Sequence, residues 1–465
     1  MIAAAGLNWV RIPFPFWAIE VYPGEPFLPK VSWTYFLKAI EWARKYGIRI
    51  NLDLHTIPGS QNGWNHSGKN GEIDFMNGAM GYANAQRTLD YIRIIAEFIS
   101  QPEYAPVVPF FGIMNEPTPG AGAYSQTDIE NFNAQAYRII RNLGGTGAGN
   151  GPFISISEGF LGLSQWAGFL AGADRLAIDA HPYLIFGDLV DGPPSVFPPL
   201  PCQWGGDFGT SMSAFGMTIA GEWSNAINDC GLYLNGVGQG TRYEGTLDGG
   251  AAMGSCDTWN NYQSWNQSTK DALKSLGMST MDSLQNWFFW TWTIGESSAT
   301  GQVEAPFWSY KLGLQEGWIV SDPRQAQGHC VSLGQTGNSF TGNLTGAEVG
   351  AVPGATPTTL DTYAWPPNAI AGTPLAQLAQ YTTAGPVPTL PVPTFSGPAA
   401  SETASLGDGW TDPADTTLMA IPVAGCTYPD GWAALNAVAP ACALNVATAN
   451  VKRAAAPAPG PTARP

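Results

Sequence analysis

Ile48-Arg-Ile-Asn-Leu-Asp-Leu-His55 and Val107-Val-Pro-Phe-Phe-Gly-Ile-Met-Asn-Glu116 are strand-length apolar runs that each end on an ionisable side chain. Runs of the same kind recur at Asn8–Pro13, Phe153–Ser157, Leu176–Tyr183, Met217–Trp223 and Trp287–Trp292. Helical periodicity fills most of the intervals. Trp33, Phe36, Leu37, Ile40 and Ala43 fall on one helix face, and Leu89, Ile92, Ile95, Ala96 and Ile99 on another. Ile129, Phe132, Ala136, Ile139 and Ile140 make a third, with Ser125 or Thr127 as its N-cap. Strands that alternate with helices and are buried on both faces form a parallel sheet. Seven of them predict an α/β fold, a (β/α)8 TIM barrel lacking one strand. Arg11, His55, Asn115, Glu116, His181, Tyr183, Glu222 and Trp290 all gather at strand C-terminal ends. That is where such a barrel places its chemistry.

Composition narrows the partners. Charged residues are only 12% of the chain, so its surface must be mostly neutral polar. The formal charge is −16, which argues against nucleic acid or an anionic membrane, since both need Lys and Arg to neutralise phosphates. Eighteen Trp in a weakly charged acidic chain suit sugar binding, in which a pyranose face stacks on an indole, although most of these rings are expected in the core. No apolar run reaches the length of a membrane span. The six cysteines show no metal-ligand spacing. Their even number and loop-like surroundings predict an oxidising compartment, with which the sequons Asn266-Gln-Ser268 and Asn343-Leu-Thr345 are compatible. Met1-Ile-Ala-Ala-Ala-Gly lacks the charged start and apolar core of an export signal, so the expectation is an extracellular or wall protein whose signal or anchor lies upstream.

The rhythm of strands and helices stops near Gln335. We expect a catalytic barrel over residues 1–335, then an extended Pro/Thr/Ser/Ala-rich stalk or wrapping segment over 336–425. A small segment at 426–452 follows, in which Cys426 to Cys442 encloses Trp432, and a disordered tail at 453–465.

Two carboxyls stand out. Glu116 closes a strand in Met114-Asn-Glu-Pro117 and Glu222 closes another in Ala220-Gly-Glu-Trp223. A carboxylate at the end of a buried strand costs desolvation energy unless it is paired or used. Either alone is as well read as a structural ion-pair partner. Together, on the fourth and seventh strands of a complete barrel, they read as the two carboxyls of a glycosidase. Asp53 also nears a strand end; its short side chain and place before His55 point to a structural role.

Further segments complete a resemblance: Gly6-Leu-Asn-Trp-Val-Arg-Ile-Pro13, Asp53-Leu-His55 with Pro58-Gly-Ser-Gln-Asn-Gly63, Asn115-Glu-Pro117, His181-Pro-Tyr183, Gly221-Glu-Trp-Ser224, Arg242-Tyr-Glu-Gly245 and Phe289-Trp-Thr-Trp292. In this order, over about residues 6–330, the chain resembles glycoside hydrolase family 5, in particular the fungal exo-β-1,3-glucanases. The C-terminal extension resembles that of the larger basidiomycete forms. The family's first strand has no counterpart, and residues 1–6 resemble the end of the first helix.

The resemblance implies that Glu222 is the nucleophile and Glu116 the acid/base of a retaining mechanism that acts on β-1,3-glucan. It implies that Arg11 and Tyr183 support Glu222, and that Asn115 binds the sugar 2-hydroxyl. His55 and His181 would orient substrate and carboxyls. Trp290 would be the platform under the cleaved sugar, with Trp64 and Phe186 an aromatic clamp for the leaving glucan. Trp64, Asn65 and His66 depart from the family's usual residues in that loop. It implies no metal or organic cofactor, and a monomer. The disulfides it implies are Cys230–Cys256 and Cys202–Cys330, which leaves Cys426 with Cys442. Other family 5 specificities, a glucan-binding pseudoenzyme and a structural wall protein carried by the stalk remain as alternatives.

Overall fold

The computed structural model describes residues 1–379 apart from Pro23, Lys30, Val237, Ala299, Ser339 and Ala371. The Cys426–Cys442 clip, the tail at 453–465 and the greater part of the stalk lie outside the described residues. The elements that position the site are β1 (Trp9–Pro15), α1 (Val31–Tyr46), β2 (Arg49–Thr56), α2 (Gly81–Ile99), β3 (Phe110–Gly112), α3 (Gln126–Gly144), β4 (Phe153–Ser157), β5 (Leu176–Ala180), α4 (Trp204–Ala214), β6 (Met217–Ala220), α5 (Asp257–Asn260) and α6 (Gln267–Leu284). Strand order in the sheet follows chain order from β1 to β6, and β1 with β2, β2 with β3, β3 with β4 and β5 with β6 pair in parallel. The fold is α/β, of the (β/α)8-barrel kind.

The chain divides into two compact units. One comprises Trp9–Leu161, Phe169–Leu176 and the described residues from Thr345 on. In it Pro13 is in register with Asp53, and Asp53 with Gly112. The ladder runs past β3 through Ile113 N–H to Ser155 C=O (3.1 Å) and Asn115 N–H to Leu54 C=O (3.1 Å). These bonds carry the backbone straight to Glu116. All five predicted apolar positions of α1 are buried, and Trp33 packs edge-on to Phe14 and Phe98. On α3, Ile129, Phe132, Ala136 and Ile140 are buried while Ile139 is half-buried, at the margin of the stripe. Ser125 caps α3: its Oγ accepts from Asp128 N–H, and Asp128 Oδ2 accepts from Ser125 N–H. Such a reciprocal cap satisfies two otherwise orphaned donors.

The described residues from Thr345 on pack against the rest of this unit. Arg175 N–H donates to Ala347 C=O and Ala148 N–H to Gly350 C=O, at 3.2 and 2.7 Å. Arg138 donates to the carbonyls of Leu360 and Tyr363, and Trp365 packs on Phe132 of α3 and Tyr82 of α2. A two-residue hairpin, β7 (Ala369–Ile370) with β8 (Thr373–Pro374), follows.

The other unit comprises Met1–Asn8, Gly162–Gly168 and Ala177–Leu344. Here β5 pairs with β6, and Trp287 forms a single parallel bridge to Ala220. The last predicted strand is thus present as a bridge extended by Phe288 N–H to Ala220 C=O and Trp290 N–H to Trp223 C=O, both 2.8 Å. Its core gathers Trp223, Trp259, Trp265, Phe307 and Trp318 against Leu273, Leu276 and Leu284 of α6. Much of the aromatic excess is therefore structural. Both expected disulfides, Cys202–Cys330 and Cys230–Cys256, are formed in this unit. Among the described residues no helix is long and apolar enough to cross a membrane.

Candidate active site

In the first unit, Arg11, Asp53, His55, Asn115 and Glu116 come together at the strand ends. The Asp53 carboxylate, 2% exposed, serves two neighbours: Arg11 Nη2 at 3.0 Å and His55 Nδ1 at 2.7 Å. A buried charge is tolerable only when matched in this way. Asp53 therefore fixes Arg11 and orients the His55 ring, the structural part expected of it. Arg11 also donates to Asn115 Oδ1 at 2.6 Å. That bond settles the orientation of the amide and leaves Nδ2 buried with no protein partner among the described residues. An unmatched buried donor costs about 1–3 kcal/mol unless something binds it.

Glu116 has φ +46°, a left-handed conformation rare for a side chain of its size. Its neighbours hold it there. Asn62 Nδ2 donates to Glu116 C=O at 2.9 Å, and Gln61 Nε2 donates to the carbonyls of Asn115 (2.8 Å) and His55 (2.9 Å). The Pro58–Gly63 loop that resembles the family is thus a bracket for the two strand ends. Tyr124 braces the bracket by donating to Gln61 C=O at 2.7 Å, and burial pushes the Tyr124 hydroxyl well above its ordinary range, so it stays a donor. The loop turns at Gly59, φ +82°, where a Cβ would stand 2.3 Å from Asn84 Nδ2. Beyond it a buried Lys69 pairs with Asp74 and Glu72; burial raises the Asp74 carboxyl, and the Lys69 charge opposes that shift. Trp64 is exposed and packs edge-on to Phe160 and His66. His66 Nε2 lies 3.0 Å from Glu116 Oε2.

In the second unit, Glu222 lies two residues past β6, 6% exposed. Tyr183 Oη donates to its Oε2 at 2.8 Å, and His181 Nδ1 stands 3.8 Å from the same oxygen. Behind them Asp179 accepts the Gly221 N–H at 2.6 Å and faces His181 Nε2 at 3.7 Å. Trp290 is half-buried, its backbone tied to Trp223. Phe186 is exposed and packs on Tyr183 and, more distantly, Trp308. Arg242 donates to the carbonyls of Ile185 and Gly187, on either side of Phe186, so the Arg242–Gly245 segment sets that aromatic.

Sequence reasoning gave no role to Gln61, Asn62, Asp179 or Arg242, and to His66 only a departure from pattern. A signal for Asp179 was present: Asp179-Ala-His181 repeats the spacing of Asp53-Leu-His55 at another strand end.

Residues 1–183 match the family model for Cellulase (glycosyl hydrolase family 5). Over these residues the chain is similar to the family 5 glycosyl hydrolases. It is 36% identical over 357 residues to "Probable glucan 1,3-beta-glucosidase D" of Aspergillus flavus, covering 72% of this chain and 41% of that protein. To the protein of the same name from Aspergillus terreus it is 37% identical over 339 residues, covering 68% and 39%. The chain thus spans about two-fifths of the length of these curated relatives. Among solved structures it is similar to a rutinosidase from Aspergillus niger, with a TM-score of 0.46 and 18% identity, covering 68% of this chain and 80% of that one.

Proposed function

We propose that this chain is a retaining exo-β-1,3-glucanase, working outside the cell or in the wall, that releases glucose from β-1,3-glucan by double displacement. The name of the substrate leans on the relatives. The chemistry is carried by one observation: beside the strained Glu116, Asn115 offers a buried amide N–H that no described protein group accepts. A sugar hydroxyl would meet that donor, and the contact would strengthen as the transition state develops. On this reading Glu222 attacks the anomeric carbon while Glu116 protonates the departing oxygen. Glu116 then takes a proton from water as that water releases the sugar from Glu222. Tyr183 holds the Glu222 oxygen, and His55 and His181 orient the reacting groups. Trp290 supports the cleaved sugar, while Trp64 and Phe186 clamp the leaving chain. The catalytic part is residues 1–335, acting as a monomer.

Azide chemistry separates the two carboxyls. Glu222→Ala and Glu116→Ala should each lose at least about a hundredfold in kcat on laminarin. Azide should rescue Glu222→Ala to the α-glucosyl azide. With an activated aryl β-glucoside it should rescue Glu116→Ala to the β-glucosyl azide. Laminarin should yield glucose alone from the outset, first as the β-anomer. An inverted first product, or either variant at wild-type rate, refutes the mechanism. Larger oligosaccharides at the outset refute exo action, and binding without turnover makes the chain a glucan-binding protein.

A further inference from the structure

His66 sits on a single 3-10 turn, Asn65–Ser67, beyond β2, and its Nε2 stands 3.0 Å from Glu116 Oε2. What that contact carries is decided by Asn62. The Trp64 N–H donates to Asn62 Oδ1 at 2.9 Å and the Glu116 carbonyl accepts from Asn62 Nδ2 at 2.9 Å, so the amide cannot be turned round without losing both bonds. Its Nδ2 then stands 3.3 Å from His66 Nε2. A donor facing that nitrogen favours a lone pair on it over a second N–H. That lone pair is shared between the amide at 3.3 Å and the nearer Glu116 oxygen at 3.0 Å, so the hydrogen between His66 and Glu116 comes from the carboxyl.

We propose that His66 is a positioning residue for Glu116 that accepts its carboxylic proton at Nε2, so that the pair holds one proton in common until the glycosidic oxygen takes it. The proposal rests on the reading of Glu116 as acid/base. The balance closes over one turnover. The shared proton leaves with the departing oxygen as its bond to the anomeric carbon breaks, and the proton of the attacking water restores it. A shared proton is lost at a higher pH than a lone carboxyl would lose it. The acid form of Glu116 therefore persists further into the alkaline range. Within this unit, the other groups facing the pair are His55, its ring 5.6 Å from that of His66, and behind it the mutually compensated Asp53 and Arg11. Lys69 on the same loop is taken by Asp74 and Glu72. Glu222, Tyr183 and His181 are the same in every variant compared, and so leave the comparison unchanged.

The test is the pH profile of kcat/KM for the full chain and for His66→Gln, on two substrates. With laminaribiose, whose leaving group needs the proton, the alkaline limb of His66→Gln should move toward acid by about one pH unit. With 2,4-dinitrophenyl β-glucoside, whose leaving group needs none, the limb should stay. Equal losses on both substrates with no movement of the limb would overturn the proposal and leave His66 a packing residue. A second measurement does not depend on that variant: the NMR titration midpoint of the His66 ring should move by about one unit in Glu116→Gln, and an unmoved midpoint also overturns it. Failure of Glu116→Ala to form β-glucosyl azide would instead remove Glu116 as acid/base, whatever His66 does.

Discussion

Gly221→Ala is the smallest change that tests how Glu222 is placed. Gly221 lies between the end of β6 and Glu222, and its N–H donates to Asp179 Oδ1 at 2.6 Å. A Cβ there would stand 2.3 Å from each Asp179 oxygen and 2.6 Å from its Cγ. Ordinary contact begins near 3.4 Å, so the carboxylate must retreat by about 1 Å. Asp179 is 6% exposed and has little room to go. Retreat forfeits a hydrogen bond to a charged acceptor, about 1.5–3 kcal/mol, and adds overpacking of about 1–3 kcal/mol. The two effects share one displacement, so we expect a loss of about 3–4 kcal/mol rather than their full sum. Glu222, the next residue, is displaced with it, and on the proposed mechanism a 1 Å error there costs about a hundredfold in rate. The assay pairs urea unfolding with kcat on an aryl β-glucoside. Gly206→Ala on α4, where a Cβ meets nothing within 4 Å, serves as control and should be neutral or slightly stabilising. The double variant Gly221→Ala/Asp179→Ala should recover part of the stability but little activity. Wild-type stability and rate in Gly221→Ala would refute the claim that Asp179 is locked against this backbone.

Tyr183→Phe removes the 2.8 Å hydrogen bond to Glu222 and should lower kcat/KM about tenfold to a hundredfold with the fold intact by circular dichroism. Opening Cys202–Cys330 with a Ser pair should cost more than opening Cys230–Cys256: by loop entropy about 4.9 against about 3.5 kcal/mol, read from urea midpoints, because the loops close over separations of 128 and 26 residues. On α2, burial pushes Asp90 up to about 7, with Arg93 opposing and Glu20 adding to the shift. The unfolded carboxyl titrates near about 3.9, so the folded state holds the extra proton between the two values and stability falls as pH rises through that window. Asp90→Asn should therefore have a higher Tm than wild type at pH 8 and the same Tm near pH 4.

The strands and helices were legible because burial imposes a period. The stripe on α1 is read off Trp33, Phe36, Leu37, Ile40 and Ala43, and all five are buried. The Tyr183–Glu222 bond was legible only by resemblance, since 39 residues separate its ends. His66 and Asn62 were not legible as partners of Glu116, because their approach is set by the path of a loop turned at Gly59, which no periodicity encodes. The two Asp-x-His pairs show where such reading ends. Spacing of two puts both side chains on one face of a strand, and from that alone each Asp should orient its His. At β2 it does, with His55 Nδ1 2.7 Å from Asp53. At β5 the same spacing puts His181 Nε2 3.7 Å from Asp179 Oδ1, and that oxygen also accepts the Gly221 N–H. Spacing fixes which groups can meet. Which of them a carboxylate serves depends on the donors brought up by the neighbouring strand: Arg11 from β1 in one case, and the backbone leading to Glu222 in the other. One Asp thus anchors a cation and a ring, and the other anchors the chain that carries a candidate nucleophile.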